Sequence, residues 1–380
     1  MPRSFMIIAG EASGDTLGAE LVKALRAEPG GGEFRFFGAG GSKLAAAGAE
    51  LAFDLAAHAV VGIIEVLKNY SKFKSFFDQL LDLAFQRRPD YVILIDYPGF
   101  NLRFAKALKE RVRKEHTEWN PKVVYYVSPQ IWAWHESRIE QIARDVDLML
   151  AIFPFEKAWY AARKPDFKVE FVGHPLIDRY AEERSKLSAK TPAETSLLLL
   201  PGSRVRELRK HLPVMVDAAR RIEAEQSVRL RMVLPTAKLS DLARGICDLS
   251  GIDVQIGDLA TALAAAKVAI ASSGTVTMEC AYFCLPTVVI YRTSWSTHAL
   301  GRRFIRVKYL AMPNLLANEV VYPELIQNDA NSENIYMAAK DLLNNESRRG
   351  VIKTQLQRVV ASLGEPGASR RAARAILSLK

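Results

Sequence analysis

Two carboxylates follow the first apolar segment of the chain, in a turn of the kind that usually binds phosphate. The segment IIAGEASGDTLGAEL, residues 7–21, reads as a strand, a turn at Gly10 and a helix. The turn holds Glu11 and Asp15 but no lysine or arginine, and carboxylates repel a phosphate. We therefore expect Gly10 and Ser13 to contact an acceptor substrate. Glu11 and Asp15 would either bind the hydroxyl groups of this acceptor or orient the catalytic base.

A third carboxylate, Asp96, ends the apolar segment YVILIDYPGFN. Partial desolvation at the end of a buried strand suits a carboxylate to act as general base. The alternative is a structural acid that caps the following helix. The residue types leave both interpretations open.

Aromatic and polar side chains alternate in VVYYVSPQIWAWHESR, after the next apolar run. Paired tryptophans with polar neighbours suit the face of a sugar. Ser128, Gln130 and Trp132 are therefore candidate substrate contacts. Core packing is the alternative for the tryptophans.

Two turns in the second half suit a nucleotide diphosphate. In SLLLLPGSRVREL, Gly202 and Ser203 offer donors at a helix start, and Arg204 adds a planar charged fork. The second turn, VAIASSGTVTMEC, opens a helix whose N-terminal amides favour an anion. Its residues are Ser272, Ser273, Gly274 and Thr275.

Glu279 lies one helical turn beyond the second of these helix starts, where it can accept hydrogen bonds from sugar hydroxyls.

Neither turn has the Gly-Lys-Ser/Thr of a Walker loop, and no Asp-x-Asp-like metal site accompanies them. Arg204 and the helix N-termini would then stabilise a leaving diphosphate. We expect no metal and no cofactor. Ordinary capped helix starts are the alternative for both turns.

Two apolar stretches with interspersed basic residues suit a lipid surface or an acyl chain. Residues 60–81 repeat apolar side chains at helical spacing: Val60, Ile63, Ile64, Leu67, Phe73 and Phe77. Residues 291–318 contain no acid and include Arg302 and Arg303, which favours an anionic bilayer over nucleic acid. For residues 60–81, a core helix with a solvated face is the alternative.

The elements that position these residues follow from apolar runs that alternate with helical segments. Strands are predicted at SFMIIAG, FRFFGAG, YVILIDY, VVYYVSP, LMLAIFP and VEFVGHP, and then at SLLLLPGS, LRMVLP, DVQI, VAIASSG and PTVVIYR. Short buried strands separated by helices predict parallel sheets. A polar segment at 175–196 separates two α/β halves, which would bind ligands at their strand ends in a shared cleft.

The composition limits the partners. A net charge of +10 fits an anionic membrane or a phosphorylated substrate, and no zinc-finger, RNA-recognition or basic-zipper pattern predicts nucleic acid. No apolar run approaches the roughly 18 residues of a membrane span, and the N-terminus reads as a buried strand rather than a signal peptide. Three cysteines without a disulfide framework indicate a reducing compartment.

Nine motifs occur in the order shown by the lipid-A-disaccharide synthase family, which the chain resembles over nearly its whole length. They are GEASGD, VVGIIEVL, IDYPGFN, YYVSPQIWAW, FPFEKAWY, FVGHPLID, LLPGSR, ASSGTVTMEC and MPNLLANE. Several short motifs in one order are far more specific than any one of them.

The resemblance implies an α/β fold of the GT-B type, with two Rossmann-like domains, a cleft between them and C-terminal helices that cross back to the first domain. The acceptor and lipid-binding domain would comprise residues 1–175 with about 350–380. The UDP-sugar donor domain would comprise residues 176–349.

The resemblance also implies an inverting, metal-independent glycosyltransferase of lipid A and lipopolysaccharide biosynthesis. The donor would be UDP-2,3-diacylglucosamine and the acceptor 2,3-diacylglucosamine 1-phosphate (lipid X), giving a β(1→6) tetraacyl disaccharide 1-phosphate and UDP. Asp96 and Arg204 match the family's essential aspartate and arginine. By similarity to the wider GT-B group, Glu279 would hold the uridine ribose, and Asn314 would lie near the donor.

Because both substrates are lipids, the resemblance also implies a cytoplasmic enzyme bound peripherally to the inner face of an anionic inner membrane. A homodimer is one option for its oligomeric state. The chain departs from the family at Gly99, where an acid often follows the proline. Asp96 is the first candidate for the general base, and Glu11 and Asp15 are the next candidates. The rival functions are another GT-B enzyme, such as a UDP-N-acetylglucosamine 2-epimerase, and a non-catalytic membrane-surface binding protein.

Overall fold

The computed structural model describes residues 3–55, 70–116, 118–187, 196–293 and 307–379. Within these ranges the strands form two sheets, and every pair of neighbouring strands is parallel. The first sheet contains β1 Ser4–Ala9, β2 Arg35–Gly40, β3 Glu50–Asp54, β4 Tyr91–Ile95, β5 Lys122–Tyr126, β6 Leu148–Ala151 and β7 Val169–Phe171. The second contains β8 Ser196–Leu200, β9 Arg229–Leu234, β10 Asp253–Ile256, β11 Val268–Ser272, β12 Thr287–Tyr291 and β13 Glu324–Ile326.

Helices connect the strands. Those that precede or follow strands of the first sheet are α1 Ala12–Ala27, α2 Ser42–Ala46, α3 Tyr70–Arg87, α4 Pro98–Lys114, α5 Ile131–Trp134, α6 Ile139–Asp145, α7 Pro154–Ala161 and α8 Leu176–Leu187. The later helices are α9 Val205–Glu225, α10 Ala237–Ile246, α11 Leu259–Ala265, α12 Thr275–Tyr282, α13 Met312–Ala317, α14 Ser332–Asn344, α15 Glu346–Ser362 and α16 Ala368–Leu377.

The strand order is the same at the heart of both sheets. It is β3-β2-β1-β4-β5-β6-β7 in the first and β10-β9-β8-β11-β12-β13 in the second, so each contains the doubly wound order 3-2-1-4-5-6. The central strands β1, β4, β8 and β11 are apolar and almost entirely buried, because helices cover both faces of a parallel sheet. The predicted α/β fold is confirmed.

Two strands at sheet edges are absent from the sequence prediction. β3 pairs only with β2, and its residues alternate between exposed and half-buried positions. β13 has only three residues, all half-buried. Such edge strands lack the continuous apolar run that marks a central strand of a parallel sheet.

The chain divides into two compact units. The first runs to Pro175 and resumes at Leu363, and the second spans Leu176–Ser362. The return falls later than the position near residue 350 expected from the sequence. The reason is that α15 packs against α12, α13 and α14 within the second unit.

Only α16, of the last two helices, completes the first unit. It packs against α1, and its Arg371 Nε donates to the carbonyl oxygen of Val172 at 2.8 Å. Just before α16, the carbonyl oxygen of Leu363 accepts from the backbone N–H of His174 at 2.9 Å. These bonds tie the last segment to the end of the first sheet.

Helix α3 corrects part of the lipid prediction. The ring of Phe77 meets the edges of Phe100 and Phe104 at centroid distances of 5.4 and 5.6 Å, and Phe73 packs on the same core. Both rings are half-buried, and the side of each that packs on this core stabilises the first unit rather than contacting lipid.

The other predicted lipid contacts lie outside the described residues: Val60, Ile63, Ile64, Leu67, Arg302 and Arg303. Among the helices of the described ranges, none combines the length and the apolar composition needed to cross a membrane.

Candidate active site

The predicted site residues of the first unit follow two neighbouring strands. From β1 the chain runs outward to β2 and β3, then returns to β4 on the other side of β1. Such a reversal leaves a crevice at the carboxyl ends of the two central strands, where ligands bind in this kind of sheet. Gly10 and Glu11 follow β1, Asp15 lies in the first turn of α1, and Asp96 follows β4 directly.

The two turns are in contact through Tyr97. A Cβ atom at Gly10 would lie 2.2 Å from Cδ1 of Tyr97, so only glycine admits the ring. Burial and, to a smaller extent, the charge of Glu11 raise the pKa of the Tyr97 hydroxyl. Glu11 itself is half-buried, and Ser13 is exposed.

Asp96 has an unusual backbone conformation. Its φ is 48°, that of Tyr97 is 49°, and left-handed conformations are uncommon for residues other than glycine. Helix α4 begins at Pro98 with Tyr97 as its N-cap residue, so Asp96 does not hold the capping position. Asp96 is half-buried at the strand end, which is consistent with contact to a bound acceptor.

Asp15 is wrong as a catalytic residue. It is 5% exposed, and its carboxylate accepts three backbone N–H groups at the start of α2: Oδ1 from Gly41 at 2.7 Å and Leu44 at 3.0 Å, and Oδ2 from Lys43 at 3.0 Å. A carboxylate bound in this way joins α1 to α2 and is not available to a substrate.

The segment after β5 presents only part of the predicted sugar surface. Gln130 is exposed and Trp132 is half-buried. Ser128 is 4% exposed, and its hydroxyl shares a hydrogen bond of 3.2 Å with that of Tyr160. Ser128 therefore belongs to the interior, which corrects its assignment as a substrate contact.

Glu156, which the sequence analysis does not single out, fixes Trp132. Its Oε1 accepts from the indole Nε1–H of Trp132 at 3.1 Å, and its Oε2 accepts from the backbone N–H of Phe153 at 3.1 Å. Burial raises the pKa of this carboxyl from 4.5 to about 7. A glutamate three residues after the N-cap of α7 is a capping-box signal in FPFEKAWY, but nothing in the sequence shows its burial.

The second unit has the same kind of reversal between β8 and β11. Gly202, Ser203 and Arg204 follow β8, and Arg204 is the N-cap residue of α9. Glu207 folds back over this turn: its Oε2 accepts from the backbone N–H of Ser203 at 3.0 Å, and its Oε1 lies 3.6 Å from Nη1 of Arg204. The two groups predicted to bind a diphosphate thus already contact a carboxylate.

His211, also absent from the sequence prediction, connects this turn to the end of β12. Its Nδ1 lies 3.1 Å from the carbonyl oxygen of Pro201, and its Nε2 lies 3.0 Å from the backbone nitrogen of Arg292. Because a carbonyl accepts and an N–H donates, the ring is the neutral Nδ1–H tautomer. Burial lowers the pKa of His211, which favours this neutral form.

The turn after β11 is more mixed. Ser272 is the last residue of the strand and is only 3% exposed, so its predicted ligand contact is corrected to a core position. Ser273 is half-buried, and Gly274 and Thr275 are exposed at the start of α12. The amides of this helix start remain the groups that suit an anion.

Glu279, one turn along α12, is held by Tyr180. The Tyr180 hydroxyl donates to Oε1 of Glu279 at 2.8 Å. Burial raises the pKa of the Glu279 carboxyl. Any contact of Glu279 with a ribose would share the carboxylate with this phenol.

Asn314 is wrong as a donor contact. It is fully buried; its Nδ2 donates to the Tyr322 carbonyl and to Oε1 of Glu324, and its Oδ1 accepts from the N–H groups of Val321 and Tyr322. An asparagine amide has two donors and two acceptor positions. All four are used to join α13 to β13.

The family assignment rests on comparison with known proteins. A family model described as Lipid-A-disaccharide synthetase matches residues 5–379. The chain belongs to this family. The lipid-A-disaccharide synthase of Myxococcus xanthus (strain DK1622) is 38% identical over 390 residues, covering 100% of this chain and 98% of that protein. Lipid-A-disaccharide synthase 1 of Legionella pneumophila (strain Lens) is 36% identical over 368 residues, covering 94% and 92%.

Solved structures show the GT-B fold. A co-structure of S. aureus MnaA with UDP aligns with a TM-score of 0.64 and 16% identity, covering 99% of this chain and 96% of that one. MurG of Acinetobacter baumannii aligns with a TM-score of 0.56 and 14% identity, covering 100% of both chains. The lipid-A-disaccharide synthetase family assignment thus agrees with the fold, and the prediction of a glycosyltransferase of lipid A biosynthesis is confirmed.

Proposed function

We propose that this enzyme transfers 2,3-diacylglucosamine from UDP-2,3-diacylglucosamine to the primary hydroxyl of 2,3-diacylglucosamine 1-phosphate, with inversion. The products are the β(1→6) tetraacyl disaccharide 1-phosphate and UDP. The family match over residues 5–379 carries this proposal. The chemistry requires one cationic site for a departing diphosphate and one base for an attacking hydroxyl.

The donor site of the proposal is the turn after β8. The Arg204 guanidinium, the Ser203 N–H and the amides at the start of α12 stabilise the negative charge that develops on UDP as the glycosidic bond breaks. Arg204 is suited to this role because it is 46% exposed and presents a planar fork to two phosphate oxygens. In the proposed reaction this charge stabilisation needs no metal ion.

The base of the proposal is Asp96. Inversion requires the acceptor hydroxyl to attack from the face opposite UDP, and one carboxylate within hydrogen-bonding reach removes its proton as the new bond forms. The half-buried position of Asp96 at the end of β4 supports this role. Glu11, half-buried in the turn after β1, is the second candidate.

We further propose that the enzyme acts in the cytoplasm, bound peripherally to the anionic inner face of the inner membrane. Both proposed substrates are lipids, and the net charge of +10 favours an anionic surface. Serine at Ile63, Ile64 and Leu67 together should reduce co-sedimentation with phosphatidylglycerol vesicles. Met337→Ser is the control, because Met337 is an exposed apolar residue of the second unit, 57% accessible. Equal binding by both variants would contradict the membrane role of residues 60–67.

Turnover in detergent micelles tests the reaction. Wild type and Arg204→Ala would be assayed with both lipid substrates in the presence of EDTA. Disaccharide phosphate from the wild type alone supports the reaction, the absence of a metal requirement and the diphosphate site together. UDP binding without any product would leave the donor site in place and contradict the proposed acceptor.

A further inference from the structure

The backbone at Asp96 is held in a conformation that the residue would not adopt by itself. Asp96 and Tyr97 are both left-handed, with φ of 48° and 49°. This conformation is unfavourable for a residue other than glycine, because the Cβ atom lies too close to the backbone. Two in succession persist only where the surrounding structure fixes them.

Two buried side chains supply that restraint at a single atom. The carbonyl oxygen of Asp96 accepts from the Tyr125 hydroxyl at 2.6 Å and from Nδ2 of Asn101 at 2.8 Å. Nδ2 of Asn101 also donates to the carbonyl of Ile95 at 3.1 Å. Tyr125 and Asn101 are both fully buried, so no water competes for these bonds.

The Asn101 amide leaves one of its polar atoms buried without a hydrogen bond. Its Oδ1 is buried and has no hydrogen-bond partner among the described residues. A buried acceptor in that state destabilises the folded chain, because it has lost its hydrogen bonds to water. The gain that offsets it lies on the other side of the amide, where both N–H groups point at the carbonyls of Ile95 and Asp96.

We propose that Tyr125 and Asn101 are positioning residues that aim the Asp96 carboxylate at the acceptor hydroxyl, an inference that rests on the proposed role of Asp96 as base. The direction of a side chain from its Cα is set by φ and ψ of that residue. By holding the Asp96 carbonyl, the pair fixes the left-handed backbone and therefore the direction of the carboxylate. Both bonds go to the backbone carbonyl of Asp96 and not to its carboxylate.

Tyr125→Phe is the decisive variant, because it removes one hydroxyl and keeps the ring. The turnover number should fall about 10- to 100-fold, since a displacement near 1 Å of a reacting group has that effect. The KM for the UDP-sugar should stay within about threefold, since the donor turn lies on the other sheet. The acidic limb of the pH–rate profile should keep its midpoint, because the base is misdirected rather than altered.

The same change in an Asp96→Asn background separates positioning from general stability. If Tyr125 acts through the carboxylate, Tyr125→Phe lowers the residual rate of Asp96→Asn no further. An equal loss in both backgrounds would overturn the proposal. Wild-type turnover by Asp96→Asn would contradict the proposed base itself, whereas an inactive Asp96→Asn beside a fully active Tyr125→Phe would overturn only the positioning role.

Tyr91→Phe is the matched control. The Tyr91 hydroxyl also donates to a backbone carbonyl, that of Leu379 at 3.3 Å, but from the first residue of β4, at the opposite end from Asp96. It should leave turnover unchanged. Asn101→Asp is the second positioning variant: it replaces the donor by an acceptor facing two carbonyls, and it should lower turnover while UDP binding is retained. Wild-type turnover by Asn101→Asp would remove Asn101 from the pair.

Discussion

The ring of Tyr97 occupies the space that a side chain at residue 10 would need, with Cδ1 of Tyr97 only 2.2 Å from an ideal Cβ there. The turns after β1 and β4 are therefore fitted to each other, although more than 80 residues separate them in sequence. Because Tyr97 follows Asp96 directly, a change at Gly10 is transmitted to the proposed base.

Gly10→Ala should lower both turnover and stability. The new methyl group displaces the Tyr97 ring, and overpacking of this kind costs about 1–3 kcal/mol. Urea unfolding and the turnover number are the measurements. Gly99→Ala is the control, because a Cβ at Gly99 meets nothing within 4 Å. Equal effects of the two substitutions would show that the contact with Tyr97 is unimportant.

Glu207→Gln should strengthen UDP binding about two- to fivefold, the range expected for an exposed ion pair. The Glu207 carboxylate takes the Ser203 N–H and lies near the Arg204 guanidinium, so it competes with a diphosphate for both groups. Isothermal titration with UDP measures the effect.

Glu223→Gln is the control for that titration. Glu223 forms an i,i+3 pair with Arg220 on the same helix but is remote in sequence from the turn after β8. Weaker UDP binding by Glu207→Gln would mean that the carboxylate shapes the turn instead of competing for it.

The stability of the wild type relative to Glu156→Gln should fall as the pH rises from about 4.5 to about 7. Burial raises the Glu156 pKa from 4.5 to about 7, so the folded protein binds a proton there that the unfolded chain has released. The full difference amounts to about 3 kcal/mol. Urea unfolding at several pH values measures it.

Glu140→Gln provides the comparison for the pH series, because Glu140 forms an exposed pair with Lys164. A parallel pH dependence for both variants would show that Glu156 is not the source.

Phe77→Ser should destabilise the first unit by about 3 kcal/mol, near the lower end for a truncated core phenylalanine. The ring contacts Phe100 and Phe104. Lys74→Ser, on the exposed face of the same helix, should have little effect. Unchanged stability of Phe77→Ser would restore the interpretation that this face of α3 contacts lipid.

The sequence predicts the strand ends well because buried parallel strands and the turns after them have distinctive residue patterns. Such patterns place Asp96 and Arg204 at these ends. Asp15 has the residue type of an active-site acid, but its three hydrogen-bond partners come from residues 41–44. No local pattern reveals a contact across that separation.

Asn314 and Asn101 also show that a polar residue in a predicted site motif can be buried and structural. Each lies in a motif shared with the family, and each proves to bind backbone carbonyls from the interior. Composition and spacing identify polar residues near a site, but only the folded chain shows which of them face a ligand and which hold the residues that do.

The position of α16 in the chain determines when the first unit can be completed during synthesis. This helix covers part of α1 in the first unit, yet a ribosome synthesises it only after the whole second unit. At about 5–20 residues per second, roughly 10–40 s separate the synthesis of Pro175 from that of Leu363. During that interval the second unit, Leu176–Ser362, is synthesised, while the apolar surface of α1 that α16 covers stays open to a chaperone.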